Sequence, residues 1–137
     1  MARSTALKRV ISLPLKPAAS GTRPVWLRVG RLAARVQAPD VALPFFQRAV
    51  QMRPGLASAR QQLGLDLGAL GRYEEGAREL AEAVRLDPKD ADSLTYLAYC
   101  ENKLGDLANA RAHVRAALAI QPDHPFANQL AAALGIG

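Results

Sequence analysis

The sequence predicts an all-helical tandem repeat, and three regularities carry that expectation. Pro54, Pro88 and Pro122 stand 34 residues apart, each two places after an apolar residue, Met52, Leu86 or Ile120. Small residues keep the same register, five places before each proline (Ala49, Ala83, Ala117), twelve before (Ala42, Gly76, Ala110) and twenty-four before (Gly30, Gly64, Ala98), with a larger apolar residue eight before (Phe46, Leu80, Val114). Apolar residues recur at intervals of three and four on both sides of a central break, so each unit reads as two helices. A fixed period of this size is one supersecondary unit copied in tandem, and small side chains in register are what close helix contact requires.

Residues 1–22 stand outside the period and carry Arg3, Lys8, Arg9 and Lys16 with no acid. They read as a mobile basic extension. Their apolar stretch, Val10 to Leu15, is interrupted by Pro14 and ended by Lys16, which makes it too short for a membrane span and poor as a signal-peptide core. The first unit, 23–56, has Gln37-Ala38-Pro39 where a glycine turn is expected, with Asp40 as N-cap and Pro44 within the first turn. In the second, 57–90, Gly71 makes the turn, and Glu74 and Glu75 offset the dipole of the next helix. The third, 91–124, puts Leu94, Leu97, Ala98 and Leu104 on one stripe and Leu107, Ala110, Val114, Ala117 and Leu118 on another, with Gly105-Asp106 between. Asp87 and Gln121 precede prolines and should end their helices.

A terminal unit would leave an apolar face open to water, and residues 125–137 suit the role of a cap. His124 or Asp123 can start this helix, Pro125 fits its first position, and Phe126, Leu130, Ala133 and Leu134 form its apolar stripe, while Gly135-Ile136-Gly137 should fray.

The pattern resembles the tetratricopeptide repeat over Arg23 to His124, through Trp26, Val29-Gly30, Ala42, Phe46, Ala49 and Pro54, then Leu63-Gly64, Tyr73, Leu80, Ala83 and Pro88, then Leu94, Leu97-Ala98, Gly105, Ala110, Ala117 and Pro122. Arg60 departs from it where Trp26 and Leu94 stand in the other units, and Glu101 occupies a place usually apolar. The resemblance implies a right-handed α-solenoid of three helical hairpins plus a C-terminal capping helix. It also implies that the first helix of each unit lines a concave groove holding an extended partner segment. Projecting the helical period away from the packed stripe puts Leu27, Arg31, Ala34 and Arg35 on that wall, then Ser58, Gln61, Leu65 and Ala69, then Asp92, Thr95, Tyr99, Asn102 and Lys103. Leu27, Arg31, Arg35, Gln61, Leu65, Thr95, Tyr99, Asn102 and Lys103 are the candidate contacts, with Tyr99 as first anchor because tyrosine offers area at low ordering cost. Some members of the family grip chaperone-tail carboxylates with Lys, Arg and Asn at fixed groove positions. Here Leu27, Arg31, Gln62, Asp92 and Tyr96 stand at those places, so that role is not expected.

Composition excludes several other classes. The net charge of +6 is uneven: up to Arg53 there are ten Lys and Arg against Asp40 alone, and from Pro54 onward eight against eleven acids. This basic end lacks interleaved aromatics, since Trp26 belongs to the core, so specific nucleic-acid binding is not expected. His113 and His124 have no ligand-spaced companion, His113 reads as a solvated helix residue, and Cys100 reads as a packed thiol. No catalytic residue, metal or cofactor is called for. The partner read from the groove is a protein or peptide, acidic or mixed, and a chain without a membrane span is placed in the cytoplasm, the basic N-terminus leaving organellar import or export open. Two other functions stay open: self-association or docking to a larger catalytic subunit through an open solenoid end, and tethering to an anionic surface by the basic arm.

Overall fold

In the computed structural model the described residues are 25–35 and 38–136, and they form seven helices with no strand among them. These are α1 (Val25–Arg35), α2 (Pro39–Met52), α3 (Ala57–Ala69), α4 (Tyr73–Leu86), α5 (Ala91–Lys103), α6 (Leu107–Ile120) and α7 (Pro125–Ala133). The basic extension 1–22 lies outside the described residues, as do Gln37 of the first turn and Gly137.

Each odd-numbered helix packs on the even one that follows it, giving three hairpins, and α7 closes the stack against α5 and α6. Successive first helices also touch, α1 with α3, α3 with α5 and α5 with α7, whereas α2, α4 and α6 make no such contact among the described residues. The layer of first helices is therefore the tighter one, and the stack curves with that layer inside.

Small residues set the distance within each hairpin. A Cβ on Gly64 would lie 2.5 Å from Leu80 Cγ and 3.0 Å from the Gly76 carbonyl oxygen, and one on Gly30 would lie 2.5 Å from the Phe46 ring. The third hairpin makes the same contact with Ala98 and the smaller Val114, both fully buried in one cluster. Glycine thus faces Phe or Leu and alanine faces Val, which keeps the filled volume similar.

The turns are chemically repetitive. Gly71 and Gly105 sit at φ +79° and +82°, a region open to glycine at no steric cost. In each turn the N–H beyond the glycine reaches back to the third-last residue of the helix, Arg72 to Leu67 at 2.8 Å and Asp106 to Glu101 at 2.9 Å, the Schellman arrangement. Residues 135–136 repeat it, contrary to the expected fraying: Gly135 has φ +72°, the Ile136 N–H reaches the Ala131 oxygen at 2.8 Å, and Ile136 packs on the last core cluster. Asp87 and Gln121 end α4 and α6 in extended conformation, as proline after them requires.

Several expectations need correction. Asp40 lies in the first turn of α2 rather than capping it; Ala38 is the N-cap, Pro39 takes the first position, and Pro44 falls inside the helix. Leu104 and Leu107 flank a turn and are exposed rather than packed. In the capping segment Leu130 and Leu134 point inward as expected and Phe126 is half-buried, but Ala127 and Ala131 complete the packed face and Ala133 is exposed. His113 is not merely solvated: its Nδ1 lies 2.6 Å from Glu101 Oε1.

That contact explains one departure from the repeat pattern, and an equivalent one explains the other. Glu101 and His113 link α5 to α6, while Arg60 Nη1 donates to Glu79 Oε2 at 2.8 Å and links α3 to α4. In both hairpins a polar pair replaces an apolar contact within the hairpin.

Candidate functional site

The inner face is built by α1, α3, α5 and the start of α7, so its chemistry follows from three register rows. Arg31, Leu65 and Tyr99, 34 residues apart, form the row that faces the groove, and all three are half-buried. Leu27, Gln61 and Thr95 form a row one turn earlier, and it is not on the open wall. Leu27 is fully buried in the first core cluster with Trp26, Phe45 and residues of α3. Thr95 is fully buried and donates its hydroxyl to the Ala91 carbonyl at 2.7 Å. Gln61 bridges successive first helices, donating to Asp90 Oδ2 at 2.5 Å and Ser93 Oγ at 2.9 Å. Lateral contact between neighbouring first helices covers this row, a burial that projecting each helix separately does not include.

The remaining candidates lie nearer the helix ends. Asn102 is half-buried and Lys103 exposed, with its Nζ 5.6 Å from the Tyr99 ring centroid. The Nε of Arg31 is buried, with no hydrogen-bond partner among the described residues. Arg35 ends α1, and its side chain lies outside the described residues.

Between α3 and α5 the inner face opens into a cavity of about 400 Å³. Its floor is Gly64, Gly68, Leu80 and Cys100, and its walls are Leu65, Ala69, Tyr96, Tyr99 and Phe126. Gly68 keeps the α3 side of the floor free of a side chain. A Cβ on Gly68 would already touch Cys100 Sγ at 3.4 Å, and the same sulfur stands 3.4 Å from a Cβ on Gly76. Burial raises the Cys100 thiol pKa to about 11, so it lines the floor as a neutral, apolar group.

The chain has three tyrosines, three phenylalanines and one tryptophan, and they divide by place. Trp26, Phe45 and Phe46 fill the first hairpin, whereas all three tyrosines and Phe126 join in one aromatic wall. Tyr99 is its centre, edge-on to Tyr73 at 6.1 Å and tilted against Phe126 at 5.7 Å, with Tyr96 at 6.2 Å from Phe126. Desolvation raises the pKa of both Tyr96 and Tyr99, reinforced at Tyr96 by Asp92 and Asp90 and at Tyr99 by the hydrogen bond with Tyr73. The phenols therefore stay neutral donors at physiological pH. At the other end of α5, Asp92 Oδ1 is held by His124 Nε2 at 2.5 Å, and His124 Nδ1 accepts the Ala127 N–H at 3.2 Å to cap α7.

Tyr96, Gly68 and Phe126 are site residues that the projection missed. The period holds the signal for Phe126: it stands 34 residues after Asp92, so α7 occupies the register of a fourth first helix and turns its start toward the groove. Among the described residues no group of His, Cys, Asp and Glu could hold a metal ion, and no helix is long and apolar enough to cross a membrane.

A stack of hairpins of this period, with first helices inside and a groove between them, defines a helical-repeat scaffold. The family model of the tetratricopeptide repeat matches residues 62–125, and the chain carries tetratricopeptide repeats over that stretch. It is 35% identical over 101 residues to an inactive TPR repeat-containing thioredoxin, TTL3, of Arabidopsis thaliana, covering 73% of this chain and 15% of that protein. The chain therefore spans a small part of that relative's length. Among solved structures it resembles YrrB, described as a TPR protein with an unusual peptide-binding site, with TM-score 0.77, 23% identity, and 92% of this chain and 62% of that one covered. It also resembles the first TPR of Spaghetti (RPAP3) bound to an HSP90 peptide, with TM-score 0.80, 13% identity, and 87% and 94% covered.

Proposed function

We propose that the chain is a non-enzymatic protein-interaction module that receives an extended peptide segment along its inner face. The observation that carries this reading is the apolar cavity walled by Leu65, Tyr96, Tyr99 and Phe126, on the side where the first helices converge. Half-buried tyrosines supply contact area with a polar tip, the composition of binding surfaces rather than of a core. The titratable groups along α5 are mostly engaged already, Asp90 with Gln61, Asp92 with His124 and Glu101 with His113. Among the described residues Lys103 pairs with no carboxylate and the Arg31 Nε has no hydrogen-bond partner, so the charge left for a partner is positive and the favoured segment is acidic or mixed. In affinity capture, Tyr99→Ala combined with Arg31→Glu should abolish partner recovery while circular dichroism still shows the folded helical array. Undiminished capture by that double variant would reject the groove.

A second reading, assembly through the open end of the stack, draws on one observation. Leu32 is 59% exposed, although its register mates Asp66 and Cys100 are buried. Light scattering across a concentration range separates the two readings, since self-association must grow with concentration.

A further inference from the structure

Resting on the groove reading above, we infer that the cavity between α3 and α5 is a side-chain pocket that defines a two-point motif: a bulky apolar anchor residue with an acidic residue two positions away in an extended segment. The anchor follows from shape and chemistry. About 400 Å³ lined by carbon, by aromatic rings and by a neutral thiol is at the small end of ligand sites. Its floor is the α3 backbone at Gly64 and Gly68 together with the Leu80 and Cys100 side chains, so a group entering between Tyr99 and Leu65 meets a mainly apolar surface there. Phe, Tyr, Leu or Ile would be desolvated there on several sides, and a charged or small residue would gain little.

The acidic point follows from Lys103. Its ammonium sits over the Tyr99 ring, 5.6 Å from the centroid, beside a residue of the pocket wall. In an extended peptide the neighbours of the anchor point away, and the residue two positions on returns to the same side about 6.6 Å along. That spacing is comparable to the 5.6 Å between the Lys103 ammonium and the centroid of the Tyr99 ring, which forms the pocket wall. The carboxylates on α5 are at the other end, at Asp92, or buried against His113, at Glu101; Asp106 in the following turn accepts from Asn109 and Glu75 pairs with Arg72, so among the described residues no carboxylate is paired with the lysine. The occupant is thus an acidic partner segment with an embedded apolar residue.

Panning a phage-displayed library of short random peptides against the full chain tests this. The enriched sequences should carry a bulky apolar residue with Asp or Glu two places away, and changing the anchor to Ala should weaken synthetic copies about 10- to 100-fold. Lys103 is exposed, so Lys103→Glu should fold normally and select Lys or Arg at the second point. Enriched peptides that keep their affinity without the anchor, or an acidic preference that survives Lys103→Glu, would overturn the motif. If those peptides still lose binding to Arg31→Glu, the groove reading stands and only the motif falls. If nothing is enriched, or binding ignores Tyr99→Ala and Arg31→Glu alike, both fall.

Discussion

Asp66 is the residue whose placement most resists its chemistry. It is 5% exposed, its Oδ2 has no hydrogen-bond partner, and burial raises its pKa to about 7 from 3.8. Its register mates are Leu32 and Cys100, so the seat is built for an apolar group. The folded state then holds a proton more tightly than the unfolded one. Its stabilising share is fully present below the unfolded pKa of 3.8 and is lost as pH rises toward 7, at up to about 1.4 kcal/mol per pH unit. His113 adds to the same trend: the hydrogen bond to Glu101 raises its pKa, so its contribution is present below 6.5 and lost as pH rises through the elevated value. Urea melts should therefore show a protein more stable at pH 5 than at pH 8. Asp66→Asn should remove most of the difference, and His113→Gln the part above pH 6.5. A pH-independent midpoint in the wild type would refute this placement of Asp66. The sequence alone could not reveal it, because the burial of position 66 arises from tertiary packing rather than from a local signal. The turn glycines at 71 and 105 were legible, since a positive φ leaves a local mark.

Within a hairpin, the informative pair is Gly64 with Leu80. Adding a methyl group at 64 forces Leu80 Cγ to move from 2.5 Å, and Gly64→Ala should cost about 1–3 kcal/mol in a denaturant melt. Combining it with Leu80→Val reproduces the Ala98–Val114 pairing of the third hairpin, and the double variant should recover part of the loss. Simple additivity would mean that these two positions do not set the helix spacing. Ala83, fully buried, should show the same intolerance, with Ala83→Leu costing about 1–3 kcal/mol. Helices and hairpins were readable because all the small positions recur with the period. The tilt of each first helix against the next was not, since it depends on contacts between units, and this is why Leu27 and Thr95 fall in the seam rather than on the wall.

Across the whole array, stability is shared between neighbours, and α7 matters more than its length implies. It caps the third hairpin through Ala127, Leu130 and Leu134, receives the Arg111 Nε hydrogen bond at the Leu134 carbonyl at 3.0 Å, and brings Phe126 to the groove. His124→Ala removes both the cap to Ala127 and the tie to Asp92 and should cost about 1–2 kcal/mol, read as a lower melting temperature with weaker peptide capture. The aromatic pocket was only half legible in sequence. Leu65 and Tyr99 follow from the register, but Tyr96, Gly68 and Phe126 join them by packing across three helices far apart in the chain. Chemical-shift mapping of an enriched peptide on isotope-labelled protein tests the central claim most directly. Amide shifts should concentrate in residues 64–69, 96–103 and at Phe126, on α3, α5 and the start of α7; shifts confined to α2, α4 and α6 would contradict it.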